Sequence, residues 1–140
     1  MGNDNRVIGF TCGSYDLLHA GHILMLEKCK EYCDHLTVGL QSDPTIDRPD
    51  EKRKPVQTLF ERYIQLAAVR FIDNVIPYDT EQDLINVLKS VSPRYRFLGS
   101  DYKDRVNFTG KNISNIEIIY LDRNHDFSTT ELRRRCYQSG

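Results

Sequence analysis

Hydrophobic and polar positions along the chain follow two patterns in turn. Short apolar runs predict buried strands, and longer stretches with an apolar residue every three or four positions predict helices. The runs that predict strands are Arg6–Thr11, Leu36–Leu40, Asn74–Ile76, Arg96–Leu98 and Ile116–Leu121. Because one helical stretch lies between most successive strands, the pattern predicts a parallel sheet.

Capping residues mark where the helices begin. The first helix is predicted from about His19 to Cys33. Thr58–Glu61 and Ser128–Glu131 match capping boxes, in which a hydroxyl and a carboxylate each accept a backbone N–H, and Thr80–Asp83 opens another helix that Pro93 ends. The sequence therefore predicts one domain over residues 1–140, an α/β fold with a single Rossmann-like, doubly wound, parallel five-stranded sheet and helices on both faces.

The densest candidate chemistry lies in Gly13–His22, between the first strand and the first helix. A glycine-containing turn at a helix N-terminus leaves backbone N–H groups free, and together with the helix dipole these favour an anion. His19 and His22 are three residues apart and share a helix face, and Gly21 leaves room for a bulky group. Metal ligands or surface histidines remain alternative interpretations of this pair.

Composition and charge narrow the function. The chain carries 19 Lys and Arg against 20 Asp and Glu, a net charge of −1, so nucleic acid is not expected as a partner. No apolar run approaches a membrane span and the start is polar, so we expect no membrane partner and a cytoplasmic location. The four cysteines form no C-x-x-C pair and are expected to be reduced thiols.

A proline-containing basic loop, Pro44–Val56, follows the second strand. It contains Arg48, Lys52, Arg53 and Lys54. A solvated loop is one interpretation. The other is a mobile loop that closes over a triphosphate, because parallel strands present their carboxyl ends to a ligand.

Several segments resemble the cytidylyltransferase family of the HxGH nucleotidyltransferase superfamily, particularly the bacterial glycerol-3-phosphate cytidylyltransferases. Tyr15–His22 resembles the family's F-D-L-L-H-x-G-H string, with Tyr in place of Phe. Arg70–Ile76 resembles R-Y-V-D-E-V-I, Gly99–Tyr102 is similar to G-D-D-W, and Arg123–Thr130 resembles R-T-E-G-I-S-T-T. One departure is Asn-His-Asp where the family has Thr-Glu-Gly. Another is the absence of lysine from Asp79–Asn86, where the family carries lysines for the acceptor phosphate.

The resemblance implies transfer of CMP from CTP to a small phosphorylated alcohol similar to glycerol 3-phosphate, with release of pyrophosphate. It also implies Mg²⁺ that arrives with the triphosphate, without protein side-chain ligands, and a homodimer. Arg70 and Arg123 favour CTP, because the heptose-phosphate adenylyltransferases lack both. Lys54–Val56 and Asp101–Tyr102 resemble those adenylyltransferases, so transfer from ATP to a heptose phosphate is the alternative. A further alternative is a module that binds nucleotide without catalysing a reaction.

The resemblance also assigns roles to individual residues. It implies catalytic roles for His19, His22, Arg123, Ser128 and Thr129. It implies nucleotide binding by Ser14, Tyr15, Asp16, Gly21, Arg53, Lys54, Arg70, Asp73, Asp101, Arg123, Asn124, Asp126, Phe127, Ser128 and Thr129.

Overall fold

The computed structural model describes residues 5–123 and 125–139. Its five strands form one sheet in the order β3-β2-β1-β4-β5, and all neighbouring strands are parallel. The strands are β1 (Ile8–Gly13), β2 (His35–Gln41), β3 (Asn74–Tyr78), β4 (Tyr95–Gly99) and β5 (Glu117–Leu121). The predicted Rossmann-like α/β fold is confirmed.

Four α-helices alternate with the strands or follow them. They are α1 (Ala20–Glu31), α2 (Leu59–Ala67), α3 (Glu81–Val91) and α4 (Thr129–Ser139), and a short 3₁₀ turn, Ser100–Tyr102, follows β4. None of these helices, in the part of the chain that the structure describes, is long and apolar enough to cross a membrane.

The core consists of one hydrophobic cluster on each face of the sheet, because successive side chains of a strand point to opposite faces. On one face, Leu26 and Cys29 of α1 and Leu66 of α2 pack with residues of β2, including Leu36 and Val38. On the other face, Phe10 and Tyr78 pack against Leu84 and Leu88 of α3. Helices therefore cover both faces, as the alternating pattern predicts.

Side-chain caps set the helix starts. Thr58 and Glu61 form the predicted reciprocal capping box, and so do Thr80 and Asp83. The box predicted at α4 forms only in part. The Ser128 Oγ accepts from the backbone N–H of Glu131 at 3.0 Å, while the Glu131 carboxylate contacts the Arg134 guanidinium, which is a charged donor.

Two helices end earlier than predicted. The helix α1 stops at Glu31 instead of Cys33, and α2 stops at Ala67 rather than near Arg70. In both cases the chain then turns toward the amino-terminal edge of the sheet to start the next strand. The carboxyl-terminal edge, formed by the last residues of β1, β2, β4 and β5, faces the starts of α1 and α4.

Candidate active site

The two histidines of the glycine turn cap the first turn of α1 and fix each other's orientation. The His19 Nδ1 accepts a hydrogen bond from the backbone N–H of Gly21 at 3.0 Å. The His22 Nδ1 accepts one from the backbone N–H of His19 at 3.1 Å, and the two ring centroids are 3.9 Å apart. Because each Nδ1 accepts, each neutral ring carries its proton on Nε2, away from the backbone. Both histidines therefore have an Nε2–H donor available for a ligand.

The surroundings of the pair favour the uncharged imidazole. Burial, followed by the charges of His19 and Arg123, lowers the pKa of His22 to about 4, with a smaller opposing effect of Asp16. Burial and the charges of Arg123 and His125 also lower the pKa of His19. At neutral pH the two rings are thus neutral hydrogen-bond donors, and an anion bound beside them would raise their pKa values.

We expect NMR titration of the free protein to give His22 a pKa of about 4, with the neutral ring in the Nε2–H tautomer. Because this pKa lies below the ordinary histidine value of about 6.5, the unfolded chain binds more protons between those two pH values. The contribution of His22 to stability is therefore present above pH 6.5 and lost as the pH falls toward 4. Saturation with inorganic tripolyphosphate should raise the His22 pKa, and a pKa of 6.5 or higher in the free protein would contradict the prediction.

A third imidazole, His125, joins the pair at Gly21. A Cβ atom built on Gly21 would lie 2.7 Å from His125 Cε1 and 2.8 Å from His19 Cε1, so only glycine fits between these rings. The His125 Nδ1 accepts from the backbone N–H of Phe127 at 3.1 Å, and its ring stacks on Phe127 with centroids 5.3 Å apart. The room predicted at Gly21 is therefore occupied by histidine rings.

The start of α4 supplies a second helix N-terminus to the same place. The hydroxyl of Thr129 donates to the Asp16 carbonyl at 3.2 Å, which joins α4 to the glycine turn. Arg123 donates to the Phe127 carbonyl, and its positive charge acts on both His19 and His22. Two helix N-termini, a guanidinium and the histidine donors thus converge, and this arrangement favours a polyanion.

The turn itself is held by Asp16. Its carboxylate accepts from the backbone N–H groups of Val56 and Gln57 at 2.8 and 2.9 Å, and Arg133 of α4 pairs with it at 3.1 Å. These bonds support a turn in which Tyr15 and Leu17 have φ angles of 49° and 52°, which are unfavourable for such side chains. Asp16 therefore organises the turn, and its carboxylate is occupied by protein groups.

A cavity of about 1070 Å³ opens in front of the histidine pair. The predicted site residues that line it are Ser14, His19, Gly21, His22, Asp101, Arg123, Phe127, Ser128 and Thr129. The structure thus brings together residues from the glycine turn, the end of β4 and the segment that follows β5. The volume of the cavity is at the upper end of the range for small-molecule sites, which is enough room for two substrates.

Two of the predicted residues lie at the opposite edge of the sheet. Asp73 accepts from Lys30, in the last turn of α1, at 2.5 Å and from the backbone N–H of Leu36, near the start of β2, at 2.8 Å. Arg70 is exposed, with its guanidinium 5.0 Å from the Phe71 ring. Because this segment precedes β3, it belongs to the amino-terminal edge, and the prediction that Arg70 and Asp73 bind nucleotide is corrected.

Other predicted residues lie near the cavity without lining it. Tyr15 is 5% exposed and packs beneath His22, with ring centroids 5.4 Å apart. Arg53, Lys54, Asp16 and Asp126 also do not line the cavity, and Lys54 is an exposed partner of Asp43 at 3.9 Å. None of these five side chains lines the cavity, and nucleotide binding through the Tyr15 backbone, or by Arg53 and Lys54 after the basic loop closes, stays a prediction. Asn124 lies outside the described residues.

The basic loop is attached to the start of α3 rather than being wholly free. Arg48 pairs with Glu81 at 2.5 Å, and the Asp47 carboxylate accepts from the Glu81 backbone N–H at 2.6 Å. Of the four basic residues predicted in this loop, Arg48 and Lys52 line the cavity, whereas Arg53 and Lys54 do not. Closure of the loop over a triphosphate stays a prediction.

Three residues near the site were not selected from the sequence. Arg62 is 2% exposed and donates to backbone carbonyls of the glycine turn and of the end of β2. Arg96 lines the cavity from β4, and the ring of His125 contacts Gly21. Each left a signal in the sequence. Arg62 is a cation in the first turn of a helix, where the dipole disfavours it, Arg96 interrupts an apolar strand, and His125 lies between Arg123 and Ser128.

Comparison with known proteins identifies relatives of this chain. A family model described as cytidylyltransferase-like matches residues 10–135. Among curated proteins, the bifunctional protein HldE of Campylobacter jejuni strain RM1221 is 39% identical over 132 residues, and that of Nitrobacter hamburgensis is 33% identical over 132 residues. These matches cover 93% and 92% of this chain but only 27% of each relative.

Solved structures show the same fold. A lipopolysaccharide core biosynthesis protein from Thermoplasma volcanium has a TM-score of 0.60 at 21% identity, with 96% of this chain and 89% of that one covered. Pantothenate synthetase from Thermus thermophilus has a TM-score of 0.60 at 13% identity, with 92% and 64% covered.

Proposed function

The chain belongs to the cytidylyltransferase-like family, and we propose that it transfers AMP from ATP to a heptose phosphate and releases pyrophosphate. The observation that carries the transfer chemistry is the pair of Nε2–H donors of His19 and His22 at the start of α1. The matched HldE proteins are almost four times as long as the aligned segment, so the activity of the whole relative is not assumed for this chain.

The geometry suits nucleotidyl transfer because this reaction needs positioning and charge stabilisation more than covalent chemistry. An oxygen of the acceptor phosphate attacks the α-phosphorus of the nucleotide and forms a new P–O bond. The bond from the α-phosphorus to the oxygen that bridges it to the β-phosphorus breaks, and that electron pair leaves with pyrophosphate. Negative charge on the non-bridging oxygens would be stabilised by the His19 and His22 donors, in the manner of an oxyanion hole.

The remaining phosphates are proposed to lie at the start of α4. Ser128 and Thr129 begin that helix, so its free backbone N–H groups and dipole favour the β- and γ-phosphates. Arg123 adds a positive charge close to the histidines. The backbone of Ser14 lines the same cavity and contributes the glycine-turn side of the anion site.

Mg²⁺ is proposed to arrive with the triphosphate. Within residues 5–123 and 125–139, no group of three or more His, Cys, Asp or Glu side chains is arranged to hold a metal ion. The charged groups that act on His19 are the Arg123 guanidinium and the His125 imidazole, whereas Mg²⁺ prefers carboxylate and phosphate oxygens. Bound to the phosphates, the ion would neutralise charge on the leaving pyrophosphate.

Two observations favour ATP and a heptose phosphate over CTP and a phosphorylated alcohol. The HldE relatives agree better with the adenylyltransferase alternative than with the cytidylyltransferase one. In addition, the sequence argument for CTP used two arginines, and only Arg123 lines the cavity, because Arg70 lies at the opposite edge of the sheet. The homodimer implied by the family resemblance and the cytoplasmic location expected from the composition stay predictions.

Competition between nucleotides tests the assignment. The assay contains equal concentrations of ATP and CTP, Mg²⁺ and a heptose phosphate. We expect AMP-bearing product to exceed CMP-bearing product by about 10²-fold. A site that forms hydrogen bonds to the edge of adenine would leave its own polar groups without partners when cytosine is bound. Mass spectrometry separates the two products, and pyrophosphate release counts total turnover. Mainly CMP-bearing product would restore the CTP assignment, and nucleotide binding without pyrophosphate release would favour the silent binding module.

A further inference from the structure

The side chain of Arg96 is a buried cation in the middle of an otherwise apolar strand. Arg96 lies on β4, is 3% exposed, and has a buried Nε with no hydrogen-bond partner. A buried charge is normally paired or fully hydrogen-bonded, because removing it from water is costly. Among the described residues, however, no carboxylate forms an ion pair with Arg96.

The protein holds one end of this guanidinium and leaves the other end available. The Arg96 Nη1 donates to the Thr109 carbonyl at 2.5 Å, and the guanidinium carbon lies 5.4 Å from the Phe108 ring. Neither Nε nor Nη2 has a hydrogen-bond partner within the described part of the chain. Two such N–H groups form the planar fork with which arginine contacts a phosphate or carboxylate through two parallel bonds.

The loop between β4 and β5 is shaped around this side chain. Gly110 has a φ of 80°, and a Cβ atom there would lie 2.8 Å from Arg96 Nη1 and 2.7 Å from Leu88 Cδ1. A glycine is therefore required for the loop backbone to approach the guanidinium so closely. Arg96 still lines the cavity in front of the histidine pair, so the guanidinium with the unpaired Nε–H borders the space that a ligand can occupy.

Arg96 and the histidines reach the cavity from opposite faces of the sheet. Arg96 is the register partner of Phe10 on β1, and Phe10 packs against Leu84 and Leu88 of α3, so Arg96 is on the α3 face of the sheet. The helix α1, which carries the histidine pair, packs on the opposite face. The cavity therefore extends across the carboxyl end of β1, with the histidine donors on one side and the Arg96 guanidinium on the other.

We propose that Arg96 binds a pair of phosphate oxygens of the acceptor substrate from the α3 side of the cavity, which leaves a third oxygen of that phosphate free to face the α-phosphorus of the nucleotide. This identification of the ligand as the acceptor rests on the proposed function, in which two phosphorylated substrates share one cavity. Since the starts of α1 and α4 hold the nucleotide phosphates, the α3 side is left for the acceptor. Tyr78 also lines this cavity. Burial raises the pKa of its phenol, so the side chain stays neutral and adds no negative charge that would repel the acceptor phosphate.

Binding is tested directly on the full chain by ¹⁵N NMR of arginine Nε–H groups. Addition of inorganic phosphate should shift the Arg96 Nε–H signal in a saturable way and leave the Nε–H of Arg94, which lies at the other sheet edge above Tyr95, unchanged. An Arg96 signal that does not move at saturating phosphate overturns the proposal. The measurement uses the native protein, so it does not depend on a variant that folds.

Kinetics then identify the ligand. With ATP and the sugar phosphate that gives the fastest turnover, Arg96→Lys should raise the KM of the acceptor about tenfold or more, because lysine keeps the charge but loses the fork, and leave the KM of ATP within twofold. Arg94→Lys is the matched control and should change neither. An equal rise in both KM values overturns the acceptor assignment. A saturable phosphate shift in a protein that turns over no sugar phosphate would support the anion site while contradicting the proposed function.

Discussion

Replacing His22 by asparagine is expected to lower turnover by about 10²- to 10³-fold while the protein remains folded. The Asn Oδ1 takes the place of the ring Nδ1, so it can still accept from the His19 backbone N–H and keep the helix start. What is lost is the Nε2–H donor, which is the group proposed to stabilise the transferring phosphate. The same change at His19 should have a similar effect, because its Nδ1 also accepts a backbone N–H, that of Gly21.

Glutamine provides the contrasting variant at the same positions. Its terminal NH₂ lies near the position of the ring Nε2, so His22→Gln should retain more activity than His22→Asn but lose part of the cap. His35→Asn is a control histidine outside the cavity, at the start of β2, and should leave turnover unchanged. Turnover is measured as pyrophosphate release and folding as the circular dichroism melting temperature. Near wild-type turnover in a folded His22→Asn protein would contradict the role of this histidine.

Replacing Arg62 by methionine is expected to lower the free energy of unfolding by about 3 kcal/mol. This guanidinium donates to four backbone carbonyls, those of Ser14, Gln41, Ser42 and Gln57, at 2.6 to 3.1 Å. Methionine has a similar length and fills the space, but it leaves those carbonyls without their charged donor. Since Ser14 lies in the glycine turn, we also expect a loss of turnover in the variant that remains folded.

Urea unfolding followed by circular dichroism measures this effect. Arg134→Met is the matched control, because Arg134 is more than half exposed and pairs only with neighbouring residues of α4. Ion pairs at the surface contribute little to the free energy of unfolding, so Arg134→Met should change that free energy by less than about 0.5 kcal/mol. A similarly small change for Arg62→Met would show that the buried guanidinium is not needed to hold the ends of β1 and β2 together.

The sequence by itself determined the order of strands and helices and the position of the histidine pair. These features depend on signals that act over a few residues: apolar runs, capping residues such as Thr58 and Thr80, and a glycine turn before a helix. The family resemblance of Tyr15–His22 was equally local and is confirmed. The family resemblance assigned Asp73 to the nucleotide, whereas its position directly before β3 places it at the edge of the sheet away from the cavity.

Only the tertiary structure decided which side chains meet across the sheet. The Asp16 carboxylate contacts Val56, Gln57 and Arg133, which are 40 to 117 positions away, so the sequence near Asp16 does not identify the partners with which it holds the turn. The same holds for Arg96, whose partner carbonyl and glycine cradle come from the next loop. The periodicity of apolar residues indicates which positions are buried and which elements they form. The partner of a buried charge, in contrast, is set by the packing of segments that are distant in sequence, and the environment of Arg96 on the α3 side of the cavity depends on that packing.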